Sequence, residues 1–160
     1  MLNGLARIAI VLTACATIGA VAVVAQDSPS GPAPSTDATS AAAAAPTAEQ
    51  ITAGKRIWVD AACYNCHGTN GQGGSSKDFP HGPSMRKSML DSETMTEVIA
   101  CGLPGTLMPG WAKGAYVERP CFGETGGVPE GLRVVGAYDD QQLADLIAYI
   151  NSTFRKNFQE

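Results

Sequence analysis

Two stretches crowded with glycine and proline, set between three short segments of helical periodicity, limit what this chain can become. The first, residues 68–90, holds Gly68, Gly71, Gly73, Gly74, Pro80, Gly82 and Pro83. The second runs from Gly102 to Tyr138. Such residues punctuate regular structure, so both stretches are predicted as loops, and no coiled coil can form across them. Helices are predicted around them. Thr47 and Gln50 have the spacing of a capping box, after which Ile51, Gly54, Trp58 and Ala61 share one helical face. Asp91 or Ser92 caps a second helix carrying Met95, Val98 and Ile99, which Gly102 and Pro104 stop. Asp139 or Asp140 begins a third, on which Leu143, Leu146, Ile147 and Ile150 recur at helical spacing. No segment alternates well enough to be predicted as a strand. The expectation is an all-α domain whose helix faces make too small a core for its loops. Something other than side chains should fill the middle.

The ends of the chain narrow the domain. Met1 to Arg7 carries one positive charge, and Ile8 to Ala25 is apolar and uncharged. Val23-Val24-Ala25 before Gln26 offers the small residues that signal peptidase needs, so residues 1–25 are expected to be a signal peptide. Residues 8–25 also reach the lower length limit for a membrane-spanning helix, which makes an uncleaved anchor the alternative. Leu12-Thr13-Ala14-Cys15 resembles a lipoprotein box, but the apolar run continues past Cys15. Each route carries the rest of the chain across the cytoplasmic membrane. Residues 26–46 are rich in Ala, Pro and Ser and are predicted to be a disordered linker, leaving 47–160 as the folded domain. With a net charge of -4, nucleic acid is not an expected partner, because phosphates select basic surfaces.

Within the domain, Cys63-Tyr64-Asn65-Cys66-His67 carries the chemistry. Two cysteines three apart, followed directly by histidine, make the attachment sequence of haem c. Both thiols add across the haem vinyl groups, one turn of backbone spans that edge, and the adjacent imidazole reaches the iron. A thioredoxin-like pair would need βαβ surroundings, and none is evident. A zinc knuckle would need a second ligand pair at short spacing, where only His81 stands. The motif occurs once, which predicts one covalent haem c, and that haem would fill the middle.

The sixth ligand to the iron is read from the methionines. Neutral thioether sulfur is soft and suits an iron that must stay partly ferrous. Met85, Met89, Met95 and Met108 are the candidates. Met95 belongs to the apolar stripe of the second helix, and Met85 and Met89 just before it read as packing residues. Met108-Pro109 lies between Gly105 and Gly110, where backbone can approach a flat cofactor closely. Met108 is the favoured ligand. A bis-imidazole site with His81, another methionine, and an open sixth position stand as alternatives.

With these residues in place, the chain resembles the class I c-type cytochromes across about residues 47–157. The resemblance rests on Gly54 and Trp58, on Cys63, Cys66 and His67, and then on Pro83, Met108-Pro109 and Leu146 to Ile150. It implies the class I cytochrome c fold, with three main helices and long loops wrapped around one covalent haem. It also implies that the Pro83 carbonyl accepts a hydrogen bond from the free His67 nitrogen and fixes the ring. Cys66-His67-Gly68 with Gly71, Gly73 and Gly74 is similar to bacterial, periplasmic members that serve dehydrogenases or respiratory chains. One departure stands out: smaller members pass quickly from the methionine into the last helix, whereas here roughly 30 residues intervene.

If Cys15 leaves with the signal peptide, two of the four remaining cysteines hold haem. Cys101 and Cys121 are then left in an oxidising compartment, where a disulfide between them is expected. An iron with both axial positions filled by protein changes oxidation state without activating substrates, and no separate catalytic constellation is evident. The expected role is therefore not that of an enzyme. It is that of a periplasmic one-electron carrier between a dehydrogenase, such as a quinoprotein dehydrogenase, and a respiratory acceptor such as a terminal oxidase. The alternatives are a permanent haem subunit of such a complex, membrane-tethered through residues 8–25, and a haem enzyme or sensor with an open sixth site. The acidic balance implies a partner with a basic patch. Residues 109–138, with Trp111, Tyr116 and Tyr138, are expected to form part of the docking surface.

Overall fold

A computed structural model describes residues 45–155 apart from Ser75. The expected signal peptide or anchor, and the linker up to residue 44, lie outside the described residues. The elements in chain order are α1 (Ala48–Asp60), α2 (Cys63–His67), a 3-10 turn (Met85–Lys87), α3 (Ser92–Cys101), β1 (Gly110–Ala112), β2 (Val134–Tyr138) and α4 (Asp140–Phe154). Three of the helices are long, and they are the three that the periodicity predicts.

Their starts are set by side chains that satisfy the free N–H groups of a first helical turn. Thr47 Oγ1 accepts from the Gln50 N–H at 3.2 Å, and Gln50 Oε1 accepts from the Thr47 N–H at 2.9 Å. Asp139 and Gln142 make the same reciprocal pair at α4, both bonds at 3.0 Å. Asp91 accepts from the Thr94 N–H at 2.6 Å and caps α3. That backbone bond, followed by one from the Thr94 hydroxyl, holds the Asp91 carboxyl below the usual carboxylate range.

The core forms where α1 crosses α4. A Cβ on Gly54 would overlap the Asp145 carbonyl and come within 2.7 Å of Tyr149 Cβ. The two backbones therefore touch at Gly54, and no larger residue fits between them. Trp58, one turn on, packs against Tyr149 and Phe154 with ring centroids 6.2 and 5.0 Å away. Leu143, Leu146 and Ile150 are fully enclosed, and α3 adds Met95 and Ile99. Among the described residues, no helix is long and apolar enough to cross a membrane.

The structure corrects the expectation of no strands. β1 and β2 pair in parallel, Gly110 opposite Val134 and Ala112 opposite Tyr138, with a bulge between. The ladder gives backbone partners to a segment that would otherwise bury unpaired N–H and C=O groups. The connection between them is also tied down. Cys121 is bonded to Cys101 at the end of α3, with S–S 2.07 Å. The Arg119 guanidinium bonds Asp140 at the start of α4 and lies 4.0 Å from Glu97 of α3. Glu97 Oε1 accepts from the Phe122 N–H at 2.6 Å. A second correction concerns Tyr116, expected on a docking surface. It is buried, 2% exposed, in the left-handed region at φ 65°.

Candidate cofactor site

α1 ends at Asp60, and Ala62 adopts the left-handed conformation (φ 53°), which turns the chain so that Cys63–His67 forms a separate helical turn. All five residues of that turn are half-buried. Cys63 and Cys66 are not joined to each other. Burial, above all, pushes the Cys63 thiol up to about 12. A redox-active cysteine needs the opposite, a thiolate stabilised near neutral pH. Cys63 therefore lacks the activated thiolate that thioredoxin-like exchange requires.

His67 Nδ1 lies 2.9 Å from the Pro83 carbonyl oxygen. With the proton on Nδ1, that nitrogen donates to the carbonyl, and Nε2 keeps its lone pair for a metal. The backbone beside it is drawn in closely: a Cβ on Gly82 would sit 2.7 Å from His67 Nδ1 and 2.8 Å from Cε1. The Gly82 N–H donates to the Cys66 carbonyl at 2.8 Å, binding this loop to the motif. Trp58 flanks the imidazole at 6.3 Å between centroids. Its Nε1 is a buried donor with no protein partner, a feature that sequence reasoning did not single out.

The sulfur candidates separate by position. Met95 is 3% exposed and belongs to the core, while Met89 is 82% exposed. Met85 and Met108 are half-buried at the edge of the core. His81 is exposed, and its Nε2 is engaged with the Ser76 carbonyl at 3.0 Å. Met108 sits in a loop with a narrow neck. Gly102, at φ 74°, approaches so closely that a Cβ there would lie 2.7 Å from the Pro109 carbonyl carbon and 2.9 Å from the Met108 oxygen. The Gly110 N–H donates to the Arg133 carbonyl at 2.9 Å, and the Cys101–Cys121 bond lies beside the same neck.

These residues fit a flat apolar macrocycle. Cys63, Tyr64, Met85, Met108, Trp111 and Tyr138 are half-buried side chains, each packed against the core. Trp111 and Tyr138, from the paired strands, pack as tilted rings with centroids 5.9 Å apart. Burial raises the Tyr138 phenol above its usual range, and the Asp60 carboxylate adds to this. Among the described residues, no group of three or more His, Cys, Asp or Glu side chains could hold a metal ion by itself.

No curated protein matches the chain, and no solved structure does. The family model for cytochrome c matches residues 51–154, from the first turn of α1 to the last residue of α4. On that match, and on a helical fold built around Cys63-Tyr64-Asn65-Cys66-His67, the chain belongs to the cytochrome c family, haem-binding electron carriers whose haem c is covalently attached.

Proposed function

We propose that this protein is a periplasmic one-electron carrier with a single haem c, held through Cys63 and Cys66 and ligated by His67 and Met108. The observation that carries the reading is the His67 ring, locked by Pro83 through Nδ1 with Nε2 free, directly after two unpaired cysteines. Haem, when bound, supplies an iron that gains and loses one electron. The chain's own residues do the rest. The Pro83 carbonyl orients the imidazole and fixes which nitrogen faces the iron. Trp58, Trp111 and Tyr138 supply apolar surface that keeps water from the site. Met108 supplies a neutral soft sulfur, which favours the ferrous state.

The proposal includes export, with residues 1–25 as signal peptide or anchor and 26–46 as the tether. A Cys101–Cys121 disulfide suits that oxidising compartment. Peptide mapping of the exported protein without reduction is expected to find the peptides of Cys101 and Cys121 joined. Two alkylatable thiols in their place would contradict it.

The donor and acceptor are proposed to be a periplasmic dehydrogenase and a respiratory acceptor, met on the face formed by residues 109–138. Lys113 lies on that face with its side chain 60% exposed and its ammonium 3.9 Å from Asp139, and Glu118 is exposed, whereas Arg119 is less exposed and held by both Glu97 and Asp140. Lys113→Glu and Glu118→Lys are therefore expected to change association rates and their salt dependence, leaving the folded spectrum intact. Rates and salt slopes identical to the parent's in both variants would move the docking face elsewhere.

The function is tested on the purified exported protein. Its intact mass should exceed the processed chain by one haem, and the ferrous form should not take up carbon monoxide. Rapid carbon monoxide uptake would signal an open sixth site and favour a haem enzyme or sensor.

A further inference from the structure

We infer that Thr106 is a positioning residue for the Met108 ligand: its hydroxyl closes the methionine loop from inside and fixes the backbone that carries the thioether. The inference rests on the proposed role of Met108. The loop's neck is held by the Gly102–Gly110 approach, whereas its tip is exposed. Leu103, Pro104, Gly105, Thr106 and Leu107 are all exposed, Leu107 at 78%. Hydrogen bonds do the holding. The Thr106 hydroxyl donates to the Leu103 carbonyl at 2.8 Å and accepts from the Met108 N–H at 3.1 Å. The Thr106 N–H also donates to the Leu103 carbonyl at 3.1 Å, and the Leu103 N–H donates to the Met108 carbonyl at 3.1 Å.

One hydroxyl therefore bridges the loop's first residue and its methionine. The backbone bonds survive any substitution at position 106, whereas the hydroxyl's two bonds do not. Their loss is expected to raise the fraction of open loop about tenfold, equal to about 1.4 kcal/mol. An added ligand that competes with Met108 sees only the open fraction, so its apparent affinity rises by the same factor while that fraction stays small. A hydroxyl that merely stabilised the fold would not produce this selective gain.

The experiment titrates imidazole into the ferric, haem-loaded protein and follows the Met–iron absorption band. Thr106→Val and Thr106→Ala are expected to bind imidazole about tenfold more tightly than the parent, while Thr106→Ser, which keeps both bonds, stays within about twofold. Position 106 is exposed, so the three variants have room to fold, and thermal unfolding of each checks that they have. Met108→Ala serves as the reference with no sulfur to displace. If Val and Ala variants bind like the parent while Met108→Ala binds far more tightly, Thr106 does not position the ligand. If Ser behaves like Val, the hydroxyl is not the cause, and the inference fails. Parent-like affinity and an intact band in Met108→Ala would overturn the ligand assignment itself, and this inference with it.

Discussion

Gly54→Ala is expected to destabilise the haem-loaded protein by about 3 kcal/mol, the upper end for an overpacked core. For a domain of this size that is a fall of roughly 12 °C in Tm. The sign is what makes the result informative. Helix propensity alone favours Ala over Gly by about 1 kcal/mol in a helix interior, so a local reading of α1 predicts a gain. The packing says otherwise, because the added carbon would overlap the Asp145 carbonyl and press on Tyr149 Cβ. Neither obstacle is the flexible end of a side chain. Relief requires α1 and α4 to separate, which loosens Trp58 against Tyr149 and Phe154 and leaves Leu146 and Ile150 less well covered. Denaturant and thermal unfolding of parent and variant measure the difference. A variant as stable as the parent would mean that the helices do not meet backbone to backbone at residue 54.

That contact also marks how far the sequence could be read. The helix starts were legible because Thr47 with Gln50, Asp91, and Asp139 act within three residues of themselves. The Cys-x-x-Cys-His turn was legible because its chemistry dictates its spacing. Gly54 could be placed on the apolar face of α1, but its partner lies in α4, and no local pattern links the two. The strands failed for the same reason more severely. β1 is three residues long, β2 is interrupted by Gly136, and their pairing is parallel across a long connection. Alternation over so few residues carries no signal. Tyr116 was misplaced because a tyrosine in a Gly-rich loop reads as exposed. Here the Cys101–Cys121 bond and the Arg119 contacts fold that loop inward. Thr106 was invisible for a different reason: its role depends on where its hydroxyl points, and residue type alone does not say.

Met108→Ala is expected to give a folded, haem-loaded protein that has lost its Met–iron band, takes up carbon monoxide when ferrous, and has a lower reduction potential. Folding should survive because the loop's neck does not depend on the methionine side chain. Gly102 and Gly110 touch through backbone, the Gly110 N–H is bonded to the Arg133 carbonyl, and Cys121 is bonded to Cys101 beside them. The potential falls because removing a neutral sulfur removes the ligand that favours ferrous iron and admits water in its place. Axial ligation and its surroundings span about 0.8 V across haem proteins, so a fall on the order of 0.1–0.3 V is expected. Two controls make the assignment specific. Met89→Ala, at a side chain 82% exposed, should change none of the three properties. Met85→Ala removes the other half-buried thioether and should lower stability while leaving the band and the carbon monoxide response as in the parent. If Met85→Ala instead loses the band and Met108→Ala keeps it, the sulfur that reaches the iron comes from the 3-10 turn before α3. The long segment after Met108 would then serve to cover the haem and meet the partner without holding a ligand.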